Sequence, residues 1–231
     1  GEPGMNVRTA ERILKARGIS AILVSPQREA RGTLDLDWDR YSAVALGRSL
    51  ESPKLHVVAN SQFQSMVTLF RSLRSLGYQR IAFLFETNQD ERVENRWLGG
   101  YLSAQYKYSR PEDRIPPLLF NDDCSGFLRD WFQEARPDAI ITGDGALHLR
   151  LPEMGIRVPD DVGVARPFSS GRESSVACIE EHSEEIGAAA VDFLASMTYR
   201  NERGIPDLPT NTLLPGCFKA GTTVSRVQPS G

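Results

Sequence analysis

Short apolar runs closed by glycine or proline alternate with segments whose apolar residues recur every three or four positions, and this alternation restricts the fold more than any other feature of the chain. Met66, Leu69, Phe70, Leu73 and Leu76 share one helical face that stops at Gly77, and Arg80-Ile81-Ala82-Phe83-Leu84-Phe85 follows as a strand. The same step occurs upstream. Val7, Ala10, Ile13 and Leu14 form a face between an N-cap at Asn6 and a stop at Gly18, which implies a buried helix end, and a strand over 19–24 is closed by Ser25-Pro26. Short strands follow at 43–47 and 56–59. Downstream come a helix around 94–106, a connection with Pro111, Pro116 and Pro117, and an amphipathic helix marked by Phe127, Leu128, Trp131 and Phe132. Pro137 precedes a strand at 139–142, and further segments lie at 162–165 (strand), 186–197 (helix) and 211–214 (extended). Such β-α alternation specifies an α/β fold whose sheet is mostly parallel, with helices on both faces. Ligands of these sheets bind beyond the carboxyl ends of the strands, so the loops after Val24, Phe85, Thr142 and Ala165 are where chemistry is expected.

A chain of 231 residues can form one domain or two. Lys and Arg number 27 against 30 Asp and Glu, a net charge of −3, which disfavours a strongly basic nucleic-acid module. The longest apolar runs, such as 81–85, fall far short of the roughly 20 residues of a membrane-spanning helix. Cys124, Cys178 and Cys217 are odd in number, widely spaced and in no Cys-x-x-Cys pair, which argues against a disulfide framework or structural zinc and for a reducing cytoplasm. Gly1-Glu2-Pro3-Gly4 has neither a basic nor an apolar stretch of the kind that opens a secretory signal.

Catalytic and metal motifs fail on inspection. Asp35, Asp37 and Asp39 imitate a calcium loop, but Arg40 and Leu46 stand where Gly and Glu belong. Gly143-Asp144-Gly145 lacks the third glycine of a dinucleotide turn and reads as a tight strand-to-helix turn. His56, His148 and His182 are not spaced as a metal set, and no nucleophile and base can be paired, so neither catalysis, a metal nor a cofactor is expected. Trp38, Phe63, Trp97 and Phe168 lie at or near strand-to-helix loops. Singly each reads as core; together they suit a sugar, whose apolar face an aromatic ring covers.

Several pieces in order resemble the effector-binding core of the LacI/GalR family of bacterial transcription regulators, itself similar to periplasmic sugar-binding proteins. They are Leu14-Lys-Ala-Arg-Gly-Ile-Ser-Ala-Ile-Leu-Val24, Leu73-Arg-Ser-Leu-Gly-Tyr-Gln-Arg-Ile-Ala82, Gly100-Tyr-Leu-Ser-Ala104, Arg136-Pro-Asp-Ala-Ile-Ile141, Met154-Gly-Ile-Arg-Val-Pro-Asp-Asp-Val-Gly-Val164 and Gly221-Thr-Thr-Val224. The resemblance covers nearly the whole chain. It implies two similar doubly wound parallel-sheet subdomains of the periplasmic-binding-protein type, joined by three crossings near Asn60, Ile179 and Asp207, with a ligand cleft between them. The first subdomain would comprise 1–60 plus 183–206 and the second 61–178 plus 207–226. The family's helix-turn-helix and its first core strand and helix have no counterpart here, so the first subdomain reads as incomplete and the chain as a trimmed form of a longer one.

For function the resemblance implies a ligand-sensing, dimerising domain of a repressor. It would take a sugar-like effector, form a homodimer and reach operator DNA only through the helix-turn-helix, in the cytoplasm and away from membranes. The effector-binding residues carried over are Arg92, Arg96, Trp97, Asp144, Phe168, Asn60 and Phe63. The match departs from the family at two of them: Trp97 stands where an Arg is common, with Arg92 and Arg96 close by in the sequence, and Phe168 stands where an acidic residue is common. The alternative is a periplasmic solute-binding protein of the same fold, and a third class is an α/β enzyme such as a nucleotide-using oxidoreductase.

Overall fold

The computed structural model describes residues 7–121, 124–169 and 175–227, which places the N-cap expected at Asn6 outside the described residues. The chain divides into two compact units. One holds Gly1–Asn60, Glu91–Glu94 and His182–Leu214; the other holds Ser61–Asp90, Asn95–Glu181 and Pro215–Gly231.

In the first unit α1 (Val7–Ala16) leads into β1 (Ala21–Val24), and β2 (Gly32–Thr33), β3 (Ser42–Leu46), β4 (Leu50–Ser52) and β5 (His56–Asn60) follow. β1, β3 and β5 pair in parallel, while β2 and β4 form a small ribbon of their own. The period of two sorts β3 between the sheet's faces: Ala43 and Ala45 pack with Val24, Trp38 and Leu55, and Val44 packs on the opposite side with Val58. Trp38 is therefore core. The apolar face of α1 behaves differently from the sequence expectation, because the helix has no buried residue and Val7 is 37% exposed. β1 is the edge of its sheet among the described residues, so a helix beside it has sheet on one side only.

The second unit is wound from α2 (Gln62–Ser75), β6 (Ile81–Glu86), α3 (Thr87–Glu91), α4 (Arg96–Tyr108), β7 (Leu118–Phe120), α5 (Leu128–Ala135), β8 (Ala139–Thr142), α6 (Leu147–Glu153), β9 (Gly163–Arg166) and β10 (Ala177–Glu180). Gly77 ends α2 with φ 106°, a left-handed conformation that glycine adopts without steric cost. Ala82 and Leu84 of β6 pack under α5 and α6 with Leu128, Leu147 and Leu151. On the other face Phe83 meets Tyr101 of α4 at 5.2 Å between ring centroids, and Tyr101 meets Phe70 of α2 at 5.9 Å. The Tyr101 hydroxyl donates to the Ile115 carbonyl at 2.7 Å, and Gln105 Nε2 donates to that carbonyl at 2.9 Å and to the phenol oxygen. Burial pushes the phenol's pKa well up.

α2 and α4 approach so closely that a Cβ on Gly100 would lie 2.8 Å from both the Phe63 carbonyl oxygen and Met66 Cβ. Gly100→Ala is therefore expected to destabilise by about 1–3 kcal/mol, even though alanine is worth about 1 kcal/mol more than glycine within a helix. Urea unfolding measures the sign, and a more stable variant would show that the helices can separate freely. The turn into β9 carries an exposed ion pair. Hydrogen bonds from the Arg157 side chain and backbone hold the Asp161 carboxyl at about 2. Any stability from this pair is present above the ordinary carboxylate range and is lost as pH falls through about 2. An NMR titration of Asp161 should show that midpoint, rising in Arg157→Ala but staying below the ordinary range, because alanine keeps the backbone N–H that donates to the carboxylate.

From β10 the chain enters α7 (Ser183–Tyr199), which covers one face of the first sheet through Ala190, Met197 and Phe193, and then β11 (Asn211–Leu214) and β12 (Cys217–Lys219). β11 pairs in parallel with β5, giving the order β1-β3-β5-β11, and β12 pairs antiparallel to β10, giving β12-β10-β9-β8-β6-β7. The sequence reading assigns 207–226 to the second subdomain. The structure instead keeps the chain in the first unit up to Leu214, because β11 is hydrogen-bonded to β5 and His56 tethers the preceding link. The Thr210 N–H donates to His56 Nδ1 at 3.1 Å, which leaves the Nε2–H to donate to Glu202 at 3.1 Å. The short stretch Glu91–Glu94, unforeseen in the sequence, also belongs to the first unit.

Candidate functional site

The carboxyl ends of β6, β7 and β8 open onto a cleft of about 590 Å³ within the second unit. Glu86 at the end of β6 and Gln89 beyond it line it, with Phe120 at the end of β7 and Asn121 beyond it, and Gly143, Asp144, Gly145 and Arg150 after β8, with Cys124 beside them. This is the edge at which a parallel sheet presents loops rather than side chains of its own ladder.

Asp144 organises the turn. Its N–H donates to Thr142 Oγ1 at 3.0 Å, its Oδ1 accepts the Ala146 N–H at 2.8 Å, and its Oδ2 pairs with Arg150. Arg150 also lies 3.5 Å from Cys124 Sγ. Burial opposes the charge of Arg150, and Cys124 with Asp144 more than restores it. A Cβ on Gly143 would lie 1.9 Å from Gln89 Oε1, so a side chain there would displace the Gln89 amide from its present place.

Beside the cleft runs a stack of rings. Trp97, only 7% exposed, lies parallel to Phe168 at 5.1 Å and tilted on Phe85 at 5.5 Å. The Arg166 guanidinium sits 4.4 Å over the Phe168 ring and donates through Nη2 to the Gly143 carbonyl at 3.3 Å. Burial drives the Arg166 pKa down, against the attraction of Cys178, Asp144 and Glu181. Gln89 Oε1, which lines the cleft, and Trp97 Nε1 and Arg166 Nε in the stack beside it are buried with no hydrogen-bond partner among the described residues. Buried polar atoms are rarely left unpaired, so a group of them around one cleft marks a place prepared for water or a ligand.

Of the residues singled out in the sequence, Asp144 lines the cleft, and Trp97 and Phe168 form the stack behind it, linked to Asp144 through Arg166. Phe63, at the start of α2 and 41% exposed, and Arg96, the first residue of α4, belong to the same unit but do not line this cleft. Asn60, at the end of β5, and Arg92, whose Nε–H donates to the Gln27 carbonyl at 3.0 Å, belong to the first unit. Arg150, Gln89 and Arg166 were not legible as site residues. The sequence reading ends the strand at Ala165, whereas β9 runs on to Arg166. Among the described residues no group of three His, Cys, Asp or Glu side chains could hold a metal ion, and no helix is long and apolar enough to cross a membrane.

A family model, the periplasmic binding protein-like domain, matches residues 70–223. The chain belongs to that family. A search of curated proteins finds no match to this periplasmic binding protein-like chain. Among solved structures, a LacI transcriptional regulator from a Rhodococcus species superposes with a TM-score of 0.71 at 16% identity, over 97% of this chain and 85% of that one. A LacI-family regulator from Enterococcus faecium with bound ribose gives 0.67 at 16% identity, over 94% and 84%. A periplasmic binding protein/LacI transcriptional regulator from Alkaliphilus metalliredigens, complexed with D-xylulofuranose, gives 0.67 at 15% identity, over 94% and 83%. The fold of this periplasmic binding protein-like chain is thus that of LacI-type regulator cores, two α/β units each built on a predominantly parallel sheet.

Proposed function

We propose that this chain is the effector-sensing core of a bacterial LacI-type regulator, acting as a repressor. It binds a small sugar-like effector, dimerises, and controls operator DNA through a helix-turn-helix domain joined to it, in the cytoplasm and without catalysis. The cleft after β6, β7 and β8 carries this reading, because it combines a fixed carboxylate at Asp144, a guanidinium at Arg150, unpaired buried polar atoms and stacked aromatic rings. Carboxylates and amides recognise hydroxyls, and aromatic faces cover the apolar side of a sugar ring. The sugars held by regulators of the same fold support the ligand class.

Thermal unfolding against a panel of pentoses, hexoses, polyols and sugar acids tests the reading. A specific ligand at one hundred times its Kd adds about 2.7 kcal/mol to stability. In the same preparation, light scattering at tens of micromolar should give a dimer's mass, and a gel shift at physiological salt should show no sequence-specific DNA binding by the core alone, whose net charge is −3. A flat panel would contradict the effector assignment. A strictly monomeric mass would contradict dimerisation.

A further inference from the structure

Among the described residues Arg166 is a buried cation without a bonded counter-ion. The residue is 7% exposed, and among the described residues its Nε–H has no acceptor and its one hydrogen bond goes to a backbone carbonyl. Asp144 is near enough for its charge to act on Arg166, but its carboxylate is bonded to Arg150. The Phe168 ring gives the guanidinium a cation–π contact, which is weaker than an ion pair. Removing a guanidinium from water without pairing it is costly, and an anion that reaches it repays that cost.

The cleft wall leaves such a path. Gly143 and Gly145 both line the cleft, Gly143 accepts the Arg166 bond, and a Cβ at position 145 would lie 3.5 Å from Arg166 Nη1. The guanidinium therefore lies directly behind a stretch of wall that has no side chains. Within the cleft Asp144 and Arg150 neutralise each other, and the Glu86 carboxylate remains as an acceptor for hydroxyl protons. We infer that the cleft selects a polyhydroxylated ligand bearing an acidic group, a carboxylate or a phosphate, and that Arg166 is the specificity-determining cation, its charge and the Nη1–H donors beside Gly145 meeting the oxyanion. This inference rests on the cleft being the effector site.

The test is calorimetric titration of the wild-type chain with matched series: glucose, gluconate, glucuronate and a glucose phosphate, with the galactose and ribose counterparts. The expected result is that an acidic member binds at least tenfold tighter than its neutral counterpart, and more weakly as salt rises. Arg166→Gln should cost the acidic ligand roughly tenfold to hundredfold, and Arg166→Lys less. Gly145→Ala adds a methyl group at ordinary contact distance from the guanidinium and should lower the affinity of the acid more than that of the neutral sugar. The acid-to-neutral ratio on the wild type decides the matter even if a variant fails to fold. Neutral sugars binding as tightly as their acids would overturn this inference and leave the effector site standing; no binding by any member would overturn both.

Discussion

Replacing Gly221 by alanine is expected to destabilise the second unit by about 3 kcal/mol, among the largest single-site effects in the chain. A Cβ there would lie 2.2 Å from the Ser175 carbonyl oxygen, 2.5 Å from the Ala177 nitrogen and 2.6 Å from the Val176 carbonyl carbon. All three are backbone atoms and cannot rotate away as a side chain would. The segment is held there because β9 and β10 pair over only two residues, Ala177 with Ala165 and Cys178 with Arg166. Thr223 completes the ladder. Its backbone carbonyl accepts the Val164 N–H at 2.9 Å, its hydroxyl donates to the Val164 carbonyl at 2.6 Å, and the hydroxyl oxygen accepts the Ala177 N–H at 3.0 Å. Thr223→Val keeps the shape and removes both side-chain bonds, leaving two buried backbone groups unpaired at a cost of about 2–4 kcal/mol. Guanidinium denaturation of both variants checks the pair of effects. Wild-type midpoints in both would show that this segment does not bridge the two strands.

Asp144→Ala is expected to lower effector affinity roughly tenfold to hundredfold, the range for losing a charge-assisted hydrogen bond. The variant removes the acceptor that fixes the Gly143 to Ala146 turn and leaves Arg150 without its carboxylate, so the cleft loses both a ligand contact and the order of its wall. Arg96→Ala should leave affinity near the wild-type value, because Arg96 does not line the cleft. Calorimetric titration separates them, and equal losses in both variants would mean that the effects come from folding rather than from the site.

The fold was legible where its determinants are local. The face of Met66, Leu69, Phe70 and Leu73, the stop at Gly77 and the run 81–85 specify a helix, a turn and a strand without reference to the rest of the chain, and all three are found. The half-exposed α1 was not legible, since its burial depends on what flanks β1 in the sheet. Nor was the place of β11, which the tether from His56 to Thr210 and the pairing with β5 decide across 154 residues of sequence. In the site, Asp144, Trp97 and Phe168 could be named because they fall in loops after strands or match a family position. Arg166 could not, because a charged residue ending an apolar strand reads as the first residue of solvent-facing loop. Its burial follows from Phe168 above it and Gly143 and Gly145 beside it, contacts that no local pattern records.

The most direct test of the central claim is calorimetric titration of the wild-type chain and Asp144→Ala with the sugar, polyol and sugar-acid panel. An effector core predicts saturable binding of one ligand per chain, weakened at least tenfold by Asp144→Ala. Absence of binding by every member at millimolar concentration, or an affinity unchanged in Asp144→Ala, would contradict it.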